Sequence, residues 1–142
     1  MERQRHAPTR PVVLVADGHA DTVELYATSL STWGCETTTV TDDAQAFALA
    51  QHLHPDIIVT ELSAPGFDGW QFIRDLKRDP HTRDIPVVVV TGDAQIGARE
   101  RADRVGCSAF LIKPCLPEDL ALTLRLVLHH PRPNDQAAQR RA

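Results

Sequence analysis

Three short runs of this chain, Val12–Ala16 (VVLVA), Ile57–Val59 (IIV) and Val87–Val90 (VVVV), are apolar at every position and rich in β-branched residues. A strand with one wet face alternates apolar and polar side chains, whereas a strand apolar throughout must be covered on both faces. That is the habit of a parallel sheet flanked by helices. The complete set of predicted strands is Val12–Ala16, Cys35–Val40, Asp56–Thr60, Pro86–Thr91 and Ala109–Ile112. Cys35–Val40 carries three threonines and reads as a more exposed edge strand.

Helical periodicity follows each run. Val23, Tyr26, Ala27, Leu30 and Trp33 share a face, with Asp21 and Glu24 as a reciprocal N-terminal cap and Gly34 as the stop. Ala46, Leu49, Ala50 and Leu53 form a second apolar face. Gly69, Phe72, Ile73 and Leu76 form a third, closed by Asp79 and Pro80. Ala98, Ala102 and Val105 make a weaker fourth, ending at Gly106. Leu120, Leu124, Val127 and Leu128 make the fifth, opened by Pro117. Five β-α units with short loops predict an α/β fold: a doubly wound, five-stranded parallel sheet with helices on both faces, flavodoxin-like (βα)5. The strand order stays open. A functional site is expected outside the carboxyl ends of the strands.

The chain has 142 residues, and a single domain over residues 12–129 is expected, with a disordered lead over 1–11 and a disordered tail over 130–142. Both ends are basic: the lead and the tail each carry +2, which leaves −8 on the body of a chain whose net charge is −4. An acidic body disfavours nucleic acid, whose binding rests on neutralising phosphates. No apolar run approaches the roughly 20 residues that span a bilayer, and Met1–Pro11 has no signal-peptide pattern. The expectation is a cytoplasmic protein without a membrane partner. Cys35, Cys107 and Cys115 form no CxxC pair and read as free thiols.

Four polar groups fall at strand ends: Asp17, Glu61, Thr91 and Lys113. A parallel sheet gathers these ends on one edge, so two carboxylates, a hydroxyl and an ammonium are expected to share a shallow pocket. Around them stand Leu14-Val15-Ala16-Asp17, Pro55-Asp56-Ile57-Ile58-Val59-Thr60-Glu61-Leu62, Pro65-Gly66-Phe67-Asp68-Gly69, Asp84-Ile85-Pro86-Val87-Val88-Val89-Val90-Thr91 and Phe110-Leu111-Ile112-Lys113-Pro114. In order and spacing, from about Val12 to His129, these blocks resemble the receiver domain of bacterial two-component response regulators.

The resemblance implies roles. Glu61 holds the place of an aspartate that takes a phosphoryl group from a partner kinase's histidine. Asp17 matches the first of two acids that hold Mg²⁺, Thr91 the hydroxyl and Lys113 the lysine that contact the phosphoryl group. Phe110 matches the aromatic that moves inward when the hydroxyl shifts. The Lys113–Pro114 bond matches one that is usually cis.

Two departures bear on function. Glutamate is one methylene longer than aspartate, moving its carboxylate by about 1.5 Å, and even ~1 Å of misplacement can cost about a hundredfold in a positioned reaction. The second metal-binding acid is replaced by Gly18. A pocket of Asp17, Glu61 and Lys113 carries −1, so Mg²⁺ is expected to bind weakly if at all, and no other cofactor is implied. Glu61 then has three readings: a pair with Lys113 that neutralises a vestigial pocket, an imitation of the phosphorylated state, or a true phosphoacceptor.

His19 reads as a solvent-facing loop histidine, Cys115 as a pocket-edge thiol, and Trp33 and Trp70 as helix-packing residues. In the last helix Leu122 and Leu126 point away from the core face. They are expected to line a homodimer or partner contact, since receivers often dimerise through the face made by the fourth helix, last strand and last helix. With 13 residues after His129, the expected function is a stand-alone, atypical receiver. It would be a signalling interaction module rather than an enzyme, with a histidine kinase or another regulator as partner. The rivals are an ordinary phosphoacceptor in a phosphorelay and a small flavodoxin-like cofactor-binding protein.

Overall fold

The structure is a computed structural model and describes residues 10–92 and 95–129. The chain runs β1 (Val12–Ala16), α1 (Ala20–Thr32), β2 (Glu36–Val40), α2 (Asp43–Leu53), β3 (Ile57–Thr60), β4 (Ser63–Ala64), β5 (Phe67–Asp68), α3 (Gly69–Arg78), β6 (Val87–Thr91), α4 (Ala98–Arg104), β7 (Ala109–Ile112) and α5 (Pro117–His129). Five strands form one parallel sheet in the order β2-β1-β3-β6-β7. The threonine-bearing β2 is an edge strand, and the fully apolar β1, β3 and β6 are interior.

Because successive strand residues face opposite ways, the sheet divides the interior in two. Leu14, Ala16, Ile58, Val87 and Val89 meet α2, α3 and α4 through Ala46, Ala50, Phe72, Ile73, Leu76 and Ala102. Val13, Val15, Ile57, Val59, Val88 and Val90 meet α1 and α5 through Val23, Tyr26, Leu30, Leu120, Leu124 and Val127. Each fully buried Leu, Ile or Phe stabilises the fold by about 1.5–3 kcal/mol. The continuous apolar runs therefore do what their pattern predicts, with each strand feeding two cores.

The first helix starts differently from the expectation. Asp21 and Glu24 do not form its cap: the N-cap is His19, without a side-chain bond, and Asp21 lies inside the first turn. The cause is Asp17, whose Oδ1 accepts the backbone N–H of His19 at 2.9 Å and turns the chain into the helix earlier. The C-terminal end agrees with the pattern, with Gly34 following at φ +91. Asp42 and Asp68 cap α2 and α3 by accepting from the N–H groups of Ala44 and Gln71.

Strands β4 and β5 form a small antiparallel hairpin turned by Pro65 and Gly66, the latter at φ +75. It lies on the Pro65–Gly69 block and the residues just before it, where no strand was expected. It is pinned from outside by Asp43, whose Oδ2 accepts the N–H of Asp68 at 2.6 Å, and from inside by the buried Phe67.

Trp70 packs against the core, as expected of a helix-packing residue. Trp33 does not: it is 44% exposed, with the guanidinium of Arg125 5.3 Å from its ring centroid. At the end of α1, it serves as a cation–π platform for α5 rather than core. The lead and tail expected to be disordered fall largely on residues 1–9 and 130–142, outside the described residues. Arg10 and Pro11 are described. The Pro11 carbonyl accepts the N–H of Glu36 at 2.8 Å, and Arg10 Nε lies 4.0 Å from Glu36 Oε1. Among the described residues no helix is long and apolar enough to cross a membrane.

Candidate functional site

Asp17 follows β1, Glu61 follows β3 and Lys113 follows β7, and the parallel sheet brings all three together. Lys113 Nζ stands between the two acids, 2.7 Å from Asp17 Oδ2 and 3.1 Å from Glu61 Oε1. Both carboxylates are buried, and the lysine side chain is 21% exposed. A buried carboxylate is costly unless its oxygens are paired and hydrogen-bonded. Here every oxygen is. Glu61 Oε2 accepts from the N–H groups of Leu62 (2.7 Å) and Ser63 (3.3 Å), and Oε1 accepts from the N–H of Gly92 (3.3 Å). Asp17 Oδ1 takes the His19 N–H and lies 3.0 Å from His19 Nδ1.

Burial alone would push the Lys113 pKa down. The hydrogen bonds and charges of Asp17, followed by those of Glu61, together outweigh it and raise the pKa above the ordinary lysine value of 10.5. The ammonium is thus fixed as a cation throughout the neutral range.

Thr91, at the end of β6, is fully buried, and its carbonyl accepts the N–H of Lys113 at 2.8 Å. The hydroxyl-bearing strand and the lysine are therefore joined through backbone, and Gly92, the next residue, reaches Glu61. Phe110 packs against the core beneath α2, α3 and α4, half-buried, with the Arg99 guanidinium 4.8 Å from its ring centroid. The Lys113–Pro114 bond is cis, as expected. Cys115 is half-buried; burial, then the charge of Asp119, pushes its thiol pKa up, so it is no activated nucleophile.

His19 is solvent-facing as expected, with its side chain 56% exposed, and its Nδ1 also lies against Asp17 Oδ1. Three further contributors were not singled out. Tyr26 donates its hydroxyl to the Cys115 carbonyl at 3.3 Å, tying α1 to the segment that carries Lys113. Gly92 acts through its backbone N–H, which no side-chain pattern announces. Gly69 lets α3 begin directly against the Glu61 carbonyl. Its signal in the sequence was its place at the end of the Pro65–Gly69 block, where the third helix opens.

A sequence model of the response regulator receiver domain matches residues 13–125. The chain belongs to this family. Its receiver is 33% identical over 106 residues to the polar-differentiation response regulator DivK of Brucella abortus, covering 75% of this chain and 85% of DivK. It is 38% identical over 114 residues to the response regulator PleD of Caulobacter vibrioides, covering 80% of this chain and 25% of PleD. The phosphate regulon transcriptional regulatory protein PhoB of Pseudomonas aeruginosa is 31% identical over 126 residues, covering 89% of this chain and 55% of PhoB. The chain thus spans about half the length of PhoB and a quarter of PleD. The chemotaxis response regulator CheY4 of Vibrio cholerae superposes with a TM-score of 0.76 at 26% identity, covering 84% of this chain and 99% of CheY4. This receiver therefore has the CheY-type (βα)5 fold, and family membership displaces the flavodoxin-like cofactor-binding reading.

Proposed function

We propose that this receiver is a signalling interaction module whose acceptor position is permanently filled by its own carboxylate and takes no phosphoryl group. One observation carries the reading: both oxygens of Glu61 are engaged, by the Lys113 ammonium and the backbone N–H groups of Leu62, Ser63 and Gly92. An attacking oxygen must first shed these donors, and the lysine that resemblance assigns to the phosphoryl group is already held by Asp17 and Glu61. A positioned reaction does not survive that rearrangement cheaply. Input and output then both run through protein binding, with a histidine kinase or a second regulator as partner.

Incubation with acetyl phosphate and Mg²⁺ is expected to leave the intact mass unchanged. A gain of one phosphoryl group, lost again in Glu61→Gln, would overturn the reading in favour of an ordinary phosphoacceptor.

The partner surface is assigned to α5. Leu122 and Leu126 are each 53% exposed, opposite the buried Leu120, Leu124 and Val127. Exposed leucines are common singly, but these two lie one turn apart and form a stripe. Replacing both with glutamate is expected to leave the melting temperature within about 2 °C, as for surface changes of ±0.5 kcal/mol. It should abolish self-association in light scattering or capture of the partner. Unchanged mass together with intact partner binding would remove α5 from the proposal.

A further inference from the structure

The family resemblance implies Mg²⁺ beside the acceptor, and the residues here do not fit it. Mg²⁺ demands near-octahedral oxygen ligands and is usually held through one or two carboxylates. In this receiver the candidate carboxylates are Asp17 and Glu61, and the ammonium of Lys113 already lies between them at 2.7 and 3.1 Å. The oxygens that do not face Lys113 are no freer. Asp17 Oδ1 is turned to His19, and Glu61 Oε2 to Leu62 and Ser63. A divalent ion would have to strip these donors and sit against a like charge.

The place of the missing acid is also closed. A Cβ added at Gly18 meets the Phe67 Cβ at 3.0 Å and the Pro65 carbonyl oxygen at 3.4 Å, so the β4-β5 hairpin must yield before any side chain enters. Among the described residues, no cluster of three or more His, Cys, Asp or Glu side chains is arranged to hold a metal.

We propose that the Lys113 ammonium is the resident cation of this site and that it takes the position a divalent ion would need, leaving the receiver without a divalent-cation site. The proposal rests on the functional reading above, because a phosphoryl group on Glu61 would bring new oxygen ligands. Tethering selects the occupant. The ammonium is held in place by the chain itself, and its donors already meet an oxygen of each carboxylate, where a dication would have to displace it or sit beside a like charge.

The experiment titrates the full chain with Mn²⁺, followed by electron paramagnetic resonance and by thermal unfolding. Wild type is expected to show no saturable binding up to about 10 mM, above the ~1 mM of the weakest carboxylate cation sites, and no Mn²⁺-dependent rise in melting temperature. Lys113→Met, which takes the ammonium off one oxygen of each carboxylate, is expected to bind at least about tenfold more tightly than that limit and to melt higher in Mn²⁺. If it is unfolded, Mn²⁺ should restore its circular dichroism. Lys113→Arg keeps the cation and should ignore Mn²⁺ as wild type does.

Saturable binding by wild type or Lys113→Arg below about 10 mM overturns the proposal. So does a Lys113→Met protein that gains neither affinity nor Mn²⁺-dependent structure. The two readings separate cleanly. Phosphoryl uptake by a protein blind to Mn²⁺ sinks the functional reading alone, and Mn²⁺ binding without phosphoryl uptake sinks this one alone.

Discussion

Replacing Gly69 with alanine is expected to destabilise the protein by at least about 3 kcal/mol and to lower its melting temperature by about 10 °C or more. Gly69 opens α3, and its N–H donates to the Leu62 carbonyl at 2.8 Å. A Cβ built there lands 1.8 Å from the Glu61 carbonyl oxygen, 2.7 Å from its carbonyl carbon and 2.8 Å from the Leu62 Cα. All three are main-chain atoms, so no rotamer change can relieve the overlap. Either α3 or the segment carrying Glu61 must move, and the second route also pulls Glu61 off Lys113. Gly18→Ala makes a milder clash, at 3.0 Å, and is expected to cost about 1 kcal/mol as ordinary overpacking. Urea unfolding of both variants checks the contrast. A Gly69→Ala protein within about 1 kcal/mol of wild type would mean that the main chain between β3 and α3 yields to a methyl group at little cost.

The second large effect is expected at Lys113. Lys113→Met removes one cation from two buried carboxylates, and breaking a buried ion pair by taking away one partner costs about 3–5 kcal/mol. The pH dependence identifies the cause. The Lys113 pKa is raised in the folded protein, so the folded state holds that proton more tightly than the unfolded one. Its stabilisation is complete below the ordinary lysine value of 10.5 and is lost as pH rises through the higher folded value. Wild-type stability should therefore fall as pH rises beyond the ordinary lysine value of 10.5 and through the higher folded one. Lys113→Met, already weakened at neutral pH, should lack this component of the decline. Urea unfolding as a function of pH measures it. Parallel wild-type and variant curves through the alkaline range would show that the ammonium stabilises nothing there.

The sheet was legible because burial on both faces imposes a strong, local demand on sequence. Val12–Ala16 and Ala109–Ile112 fall where the apolar runs place them, and the other three strands start one residue later than predicted. Convergence of Asp17, Glu61 and Lys113 followed from parallel strands alone. What stayed hidden was contributed by the backbone or by proximity across the fold. Gly92 matters through its N–H and Gly69 through the Cβ it lacks. The first helix was misread for a related reason. Asp21 and Glu24 satisfy a capping pattern, but a carboxylate four residues before Asp21 had already captured the chain at His19. Trp33 was misplaced because it is the C-cap of α1, where helical spacing no longer points at the core, and an arginine from α5 covers the ring instead.

The division of the interior by the sheet has an evolutionary consequence. The α1 and α5 side chains share one apolar compartment, while α2, α3 and α4 share another. Residues with no common neighbour change with nearly additive effects. The outer stripe of α5, proposed above as the partner surface, can accordingly be rewritten without repacking the hairpin and helix beside Glu61. On that proposal, descendants of this chain are free to change allegiance while inheriting the same charge cluster.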